Sequence, residues 1–238
     1  MNEAPDLPQR DLLVRQSERL AGIRSRLLRR LGVANCRRVL DLGAGPDIVT
    51  GELRRRATGP VIALDRRRAA LGSTPVPAVV GDAQALPFAA GVFELVFAQH
   101  LFMWVHDLVA AVREVARVLA PGGQLLAIEP DFGAAIEHPP EVALAPIAIA
   151  ALRRAGAEPL AGRLLATTLG AAGWQVQVDL LPQLGPVGQD RDEVLAGLQL
   201  DDDERRRTCA AQRCFKRTAE AVRLVHVPYF FVTARKGG

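Results

Sequence analysis

Residues 39–50, VLDLGAGPDIVT, run from an apolar strand pattern through a turn with two glycines into a helical pattern. This order is typical of sites for nucleotide-like cofactors, because glycine admits close backbone approach and a helix N-terminus offers free N–H groups. A dinucleotide-binding turn would read G-x-G-x-x-G. Here Gly43 and Gly45 are present, the third glycine is absent, and Asp47 stands at the mouth of the helix. A carboxylate there would repel the negative charges of a pyrophosphate. The repulsion is expected whether Asp47 contacts the cofactor or caps the helix through its side chain.

The length of 238 residues fits one domain, or one domain with a cap. Hydrophobic residues make up 49% of the chain and charged residues 24%, a balance that favours a folded core over disorder. The first residues show no signal-peptide pattern, and no uncharged apolar run reaches the ~18 residues of a membrane span. We therefore expect a cytoplasmic protein without a membrane span.

The net charge of +4 and the pI near 9.5 raise the question of nucleic-acid binding. All basic residues except Lys216 and Lys236 are Arg, and the Arg runs at 54–56, 66–68 and 205–207 are interpreted as solvated helix faces. Nucleic acid is therefore disfavoured as a partner. The three cysteines form no CxxC pair, so we expect no metal or redox site. Oligomeric state is not indicated by any motif.

Leucines and isoleucines at helical spacing predict an amphipathic helix over residues 11–31, and short apolar strands alternate with helical patterns from Arg38 onward. Strands this apolar, separated by helices, belong to a parallel sheet covered on both faces. Strands are predicted at 38–42, 60–65, 76–80, 92–98, 123–129, 174–181 and in the final segment HVPYFFVTARK. Helices are predicted at 47–57, 66–72, 106–119, about 141–156, about 159–172 and about 190–224.

This pattern predicts an N-terminal helical segment at 1–35 and a single sheet domain at 36–238. Within the domain, the segments at about 131–172 and 185–225 are interpreted as helical cover insertions beside the sheet.

Polar residues follow each of the first five strands. In open α/β sheets the ligand lies beyond the carboxyl ends of the strands. Asp65 ends the second strand about 20 residues past the glycine turn, where a carboxylate accepts hydrogen bonds from two ribose hydroxyls. Asp82 follows the third strand and is placed to accept from an adenine amino group. The other strand-end residues are Asp41 to Asp47, Gln99 with His100, and Glu129 to Asp131.

The succession VLDLGAG, VIALD, GDAQALPF, FELVFAQHLFMWVHD and REVARVLAPGGQLLAIEPD resembles the class I S-adenosylmethionine-dependent methyltransferases. It is most similar to their small-molecule type, which includes quinone-biosynthesis enzymes. The resemblance covers residues 36–132 and implies a doubly wound, mostly parallel, seven-stranded Rossmann-like α/β sheet with the last strand antiparallel. An N-terminal helix and helical cover segments complete this expected fold.

The resemblance implies S-adenosylmethionine as the cofactor. The glycine turn would approach its methionine part, Asp65 would hold the ribose, Asp82 with Ala83 would hold the adenine, and Gln99 would offer backbone contacts near the sulfonium. The full set of implied cofactor-binding residues is Asp41, Gly43, Ala44, Gly45, Asp65, Arg66, Asp82, Ala83 and Gln99. Asp47 departs from the family pattern, in which many members have glycine.

Methyl transfer from a sulfonium is a direct displacement that depends on alignment of the reactants. A general base is needed only where the accepting atom must lose a proton. His100 is the first candidate for this base, since a neutral imidazole is available near pH 7, and His106 and Asp131 are the next. Alternatively, His100 bonds the loop and His106 with Asp107 caps the following helix. Trp104 either lines the substrate pocket, where it could face a cation, or packs in the core.

These observations predict a methyltransferase that acts on an O, N or C atom of a small molecule. The alternatives are an NADP-dependent oxidoreductase, an RNA methyltransferase and a non-catalytic S-adenosylmethionine-binding partner of another chain. Arg66 to Arg68 could receive the 2′-phosphate of NADP, but Asp65 would oppose it. The RNA reading is supported by charge alone.

Overall fold

Two layers of helices enclose one sheet in the computed structural model, which describes residues 10–71, 76–180, 194–195, 197–219 and 224–236. The strands are β1 (Val39–Leu42), β2 (Val61–Asp65), β3 (Ala78–Val80), β4 (Phe93–Gln99), β5 (Leu119–Pro130), β6 (Ile136–His138), β7 (Gln175–Leu180), β8 (Leu224–His226) and β9 (Tyr229–Arg235). The helices are α1 (Arg10–Arg30), α2 (Thr50–Arg56), α3 (Leu108–Val118), α4 (Ala145–Arg154), α5 (Ala161–Ala171) and α6 (Asp202–Arg217).

The main sheet has the strand order β3-β2-β1-β4-β5-β9-β7. The pairs from β3 through β5 are parallel, whereas β9 is antiparallel to both β5 and β7. Strands β6 and β8 form a separate two-stranded sheet. The predicted seven-stranded, mostly parallel sheet with an antiparallel last strand is therefore confirmed.

Side chains that alternate along each strand divide the core into two clusters, one on each face of the sheet. On one face, Leu40 and Val96 pack with Val112 of α3 and Leu165 of α5. On the other face, apolar residues of the strands pack with α1 and α2; its members include Val39, Leu95, Phe97, Ile128 and Phe231. Helices on both faces explain why the central strands β1, β2 and β4 are mostly apolar.

The N-terminal helix α1 is part of the core. Its residues Leu20, Leu27 and Leu28 are buried in the same cluster as Val39 and Phe97 of the sheet. The apolar spacing of the sequence therefore predicts the buried face correctly. The domain boundary at residue 35 stays a prediction.

A third apolar cluster lies where α4 and α6 meet the turns that follow β4 and β5. Ile147 of α4 and Ala211 of α6 pack there with Met103 and Phe132. Helix α4 packs in this cluster with α6, whereas α5 packs against the sheet itself. The division into cover insertions stays a prediction.

Three predicted helices differ from the observed ones. Helix α2 begins at Thr50 rather than 47, because the chain before it is a turn. Residues Arg68–Leu71 form a single 3₁₀ turn in place of the helix predicted at 66–72. Helix α6 begins at a capping box between Asp201 and Glu204, so it starts well after residue 190, and parts of the predicted span 190–224 lie outside the described residues.

No helix in the described part of the chain combines the length and apolar character needed to cross a membrane.

Candidate active site

The glycine turn after β1 is built from left-handed backbone conformations. Gly43 has a φ of 74°, Gly45 a φ of 54° and Asp47 a φ of 74°. A Cβ atom on Gly43 would come within 2.8 Å of Leu101 Cδ1, so only glycine fits there against the loop after β4. Val49 is the N-cap residue of α2, so Asp47 lies two residues before the cap position.

Asp65 and Asp82 follow the neighbouring strands β2 and β3, and both are half-buried. The two oxygens of Asp65 accept hydrogen bonds from the backbone N–H groups of Gly45 (3.0 Å) and Arg67 (2.9 Å), which ties the glycine turn to the end of β2. Asp82 Oδ1 accepts from the backbone N (2.9 Å) and side-chain Nε2 (3.1 Å) of Gln84. Each carboxylate retains lone pairs for a ligand.

The neighbours of these two carboxylates differ in exposure. Ala83 is buried beside Asp82, and Ala44 is half-buried in the glycine turn. Arg66 is exposed beyond the end of β2. A ligand that lay along the ends of β2 and β3 would therefore have a buried wall at Ala83 and an open side at Arg66.

Asp41 lies buried at the start of the glycine turn and accepts a hydrogen bond from Thr50 Oγ1 at 2.6 Å. Burial raises the pKa of Asp41 to about 7; the Thr50 bond opposes this shift, and Asp47 adds to it. The side chain connects β1 to the first residue of α2. Asp41 therefore links the two ends of the glycine turn through its bond to Thr50.

Gln99 ends β4 on the face that carries α1. Its side-chain Oε1 accepts a hydrogen bond from Arg24 Nη1 at 3.0 Å. Arg24 is 4% exposed and also pairs with Glu52 of α2. The sequence-based prediction included Gln99 and missed Arg24, although an arginine among Leu20, Ile23, Leu27 and Leu28 stands on the apolar face of the helix.

His100 follows Gln99 in a left-handed conformation with a φ of 56°. Its ring centroid lies 5.4 Å from that of Tyr229, the first residue of β9. The imidazole Nε2 is buried and has no hydrogen-bond partner among the described residues. Burial, together with the positive charges of Arg24 and Arg19, lowers the pKa of His100 to about 4. The imidazole is therefore neutral near pH 7, and the lowered pKa makes it a weak base.

Glu129 holds the loop that follows His100. Its fully buried carboxylate accepts from the backbone N–H groups of Leu101 (2.9 Å), Phe102 (2.8 Å) and Met103 (3.4 Å). Burial raises the pKa of Glu129 to about 7, against the effect of these bonds. In the sequence, Glu129 stands out only as an acid at the end of a strand. An acid that directly follows the apolar run LLAI is a signal of burial, and a buried acid needs a specific hydrogen-bond partner.

The other two base candidates are placed differently from His100. Asp131 is buried, and its two oxygens accept from Arg163 Nε (2.6 Å) and Nη2 (2.9 Å), so both oxygens are already engaged by the guanidinium. His106 is exposed and precedes Asp107, whose side chain accepts from Ala110 N (2.9 Å) as the N-cap of α3.

Trp104 is half-buried and packs against the cluster shared by α4 and α6. In the structure, Trp104 thus connects the loop after β4 with the helices α4 and α6. A role in binding the substrate stays a prediction.

The comparisons with known proteins agree with this architecture. The family model described as a methyltransferase domain matches residues 40–127. A malonyl-[acyl-carrier protein] O-methyltransferase from Halorhodospira halophila is 39% identical over 128 residues, which are 50% of this chain and 40% of that protein. A demethylmenaquinone methyltransferase from Mycolicibacterium paratuberculosis is 42% identical over 101 residues, which are 42% of this chain and 44% of that protein. The resemblance to class I S-adenosylmethionine-dependent methyltransferases is therefore confirmed.

The chain spans less than half the length of these two relatives. Among solved structures, the geranyl diphosphate C-methyltransferase of Streptomyces coelicolor, in complex with S-adenosyl-L-homocysteine among other ligands, aligns with a TM-score of 0.59 and 16% identity. The alignment covers 92% of this chain and 77% of that one. At this identity the likeness supports the fold alone.

Proposed function

We propose that this protein transfers a methyl group from S-adenosylmethionine to an O, N or C atom of a small molecule by direct displacement. The observation that carries the proposal is the pair of carboxylates, Asp65 and Asp82, at the ends of adjacent strands beside the glycine turn. The family match over residues 40–127 covers this whole arrangement.

The residues at the sheet edge fit the chemistry of this cofactor. Asp65 can accept hydrogen bonds from ribose hydroxyls while it holds Gly45, and Arg66 extends beside it. Asp82 and the buried Ala83 would contact the adenine. Gly43 and Ala44, supported by Asp41, and the backbone of Gln99 would bind the methionine part. S-adenosylmethionine, when bound, supplies a methyl group on a positively charged sulfur. The sulfur leaves as a neutral thioether and needs no acid from the protein.

His100 is the group proposed to take the proton of an acceptor that must lose one. Its Nε2 is buried without a described partner and next to Tyr229, so an acceptor hydroxyl or amine could donate to it. A base whose pKa lies near the working pH contributes about 10²–10⁴-fold to rate, and with a pKa of about 4 His100 would contribute less. Asp131 and His106 are weaker candidates, because the first is held by Arg163 and the second is exposed.

The alternatives are less well supported. An NADP-dependent oxidoreductase would place phosphates where Asp47 and Asp65 already carry negative charge. The two relatives act, by their names, on malonyl-[acyl-carrier protein] and on demethylmenaquinone, so they favour neither an RNA substrate nor a non-catalytic role. A small-molecule acceptor and a cytoplasmic location remain part of the proposal.

The test is isothermal titration calorimetry of the full chain with S-adenosylhomocysteine, S-adenosylmethionine and NADP. Asp65→Ala and Asp82→Ala each remove a charged acceptor worth about 1.5–3 kcal/mol, so each should weaken S-adenosylhomocysteine binding about tenfold or more. Glu141→Ala, at an exposed acid of the cover, is the matched control and should leave affinity unchanged. Tighter binding of NADP than of S-adenosylmethionine by the wild type would overturn the proposal.

A further inference from the structure

Arg24 is a buried arginine on the core-facing side of α1, and it joins three elements. Its Nε and Nη2 donate to Glu52 Oε2 of α2 at 2.9 and 2.7 Å. Its Nη1 donates to Gln99 Oε1 at the end of β4, and also to the carbonyl (3.0 Å) and hydroxyl (3.1 Å) oxygens of Ser17. The planar guanidinium therefore spans α1, α2 and β4 at once.

The partners of Arg24 flank the glycine turn. Glu52 stands in the first turn of α2, directly after that turn, and also accepts from Ser25 (2.7 Å) and Arg56 (2.8 Å). Gln99 is the last residue of β4, on the opposite side of β1 from β2. Arg24 thus fixes the distance between the helix that follows the turn and the strand beside it.

Stability alone does not explain why this hydrogen-bond network around Arg24 is buried. Burying an ion pair costs desolvation energy that its attraction only partly offsets, and apolar residues of similar volume often stabilise a core at least as well. What the fork of an arginine adds is fixed geometry among its partners. That geometry is imposed here on the two elements that border the proposed cofactor site.

We infer that Arg24 is a positioning residue for the cofactor: through Gln99 and Glu52 it holds the end of β4 and the start of α2 at the spacing that the methionine part of the cofactor requires. The N-terminal helix is, on this view, a structural part of the cofactor site and more than a cover for the sheet. The inference rests on the proposed function, because it assumes that the cofactor lies against the glycine turn.

The experiment measures S-adenosylhomocysteine affinity by calorimetry and stability by urea unfolding, both on the full chain. Arg24→Met should weaken binding tenfold or more in protein that is still folded. Arg24→Lys should weaken it nearly as much, since the ammonium group keeps the charge without the fork. Gln99→Met removes one arm of the network and should weaken binding several-fold. In Arg24→Met, adding Gln99→Met should cause little further loss, because the two changes disrupt one interaction.

Arg154→Met is the matched control, because it breaks an arginine–glutamate pair that links α4 to α6. This variant should bind S-adenosylhomocysteine with wild-type affinity.

Wild-type affinity in Arg24→Met with reduced stability would overturn the inference in favour of a purely structural role. Full rescue by Arg24→Lys would overturn it in favour of a direct charge contact. If Arg24→Met does not fold, Gln99→Met decides: unchanged affinity in it refutes the inference. A wild type that binds no S-adenosylhomocysteine refutes the proposed function instead.

Discussion

Asp47 has a left-handed backbone conformation, with a φ of 74°, at a position where a β-carbon is unfavourable. Glycine adopts this conformation without strain, and aspartate tolerates it better than alanine does. We expect Asp47→Gly to be more stable than Asp47→Ala by about 1 kcal/mol, the reverse of their order inside a helix. Urea unfolding of both variants measures the difference.

The same substitution tests the role of Asp47 in cofactor binding. Asp47→Gly should keep affinity for S-adenosylmethionine within about tenfold, roughly 1.4 kcal/mol. An alanine variant as stable as the glycine variant would show that the left-handed conformation imposes no strain at this position.

His100 predicts a pH dependence of stability. The pKa of its imidazole is about 4 in the folded protein, compared with 6.5 for an unperturbed histidine. Between these values the unfolded chain binds the proton and the folded protein does not, so the free energy of unfolding falls as pH drops from 6.5 towards 4. At about 1.4 kcal/mol per pKa unit, a shift from 6.5 to about 4 corresponds to a loss of about 3–4 kcal/mol.

The comparison that isolates this effect is with His100→Asn, because asparagine also tolerates a positive φ. The difference in unfolding free energy between wild type and variant should be constant above pH 7 and should shift against the wild type as the solution is acidified. Contributions from Asp41 and Glu129 cancel in the difference. Parallel stability curves for the two proteins from pH 7 to pH 4 would contradict the low pKa of His100.

At the scale of elements, the loop after β4 depends on an acceptor supplied by β5. Glu129→Leu leaves the N–H groups of Leu101, Phe102 and Met103 without that acceptor, and we expect a loss of about 2–4 kcal/mol. Glu129→Gln keeps an oxygen for Leu101 and Phe102, which share Oε1, and should cost about 1 kcal/mol or less. Chemical denaturation at pH 6 measures both.

The pH dependence of Glu129 has the opposite sign to that of His100. A pKa raised to about 7 means that the folded protein holds the proton more tightly than the unfolded chain does. The stability of wild type relative to Glu129→Gln should therefore decline as pH rises from about 4.5 to 7. Equal losses in the leucine and glutamine variants would show that the carboxylate does not act as the acceptor.

The central strands β1, β2, β4 and β5 were predictable because each is a mostly apolar run that is largely buried on both faces of the sheet. The edge strands β3 and β7 are mostly exposed, and β6 and β8 were not predicted. Residues 66–72 were harder, since their arginines fit a helix by propensity while the chain forms only the 3₁₀ turn Arg68–Leu71. Propensity describes local preference, and here the short connection to β3 overrides it.

At the scale of the whole molecule, the strand-end acids were predictable because the order of strands brings their carboxyl ends to one edge. Arg24 and Glu129 were not assigned roles, because their partners lie 75 and about 28 residues away in the chain. Distances of this kind follow from tertiary packing, and sequence spacing does not encode them. The pairing of His100 with Tyr229 likewise depends on where the last strand enters the sheet.

The position of β9 has a consequence for how the protein folds as it is synthesised. In the described residues β7 pairs with β9 alone, yet β7 leaves the ribosome more than 40 residues earlier. Until β9 arrives, β5 keeps an unpaired edge and β7 has no neighbour, and exposed edges of this kind favour association between chains. The insertion of one late strand completes the sheet and also brings Tyr229 to His100. A nascent chain interrupted before β9 would thus be prone to aggregation, and His100 would lack its contact with Tyr229.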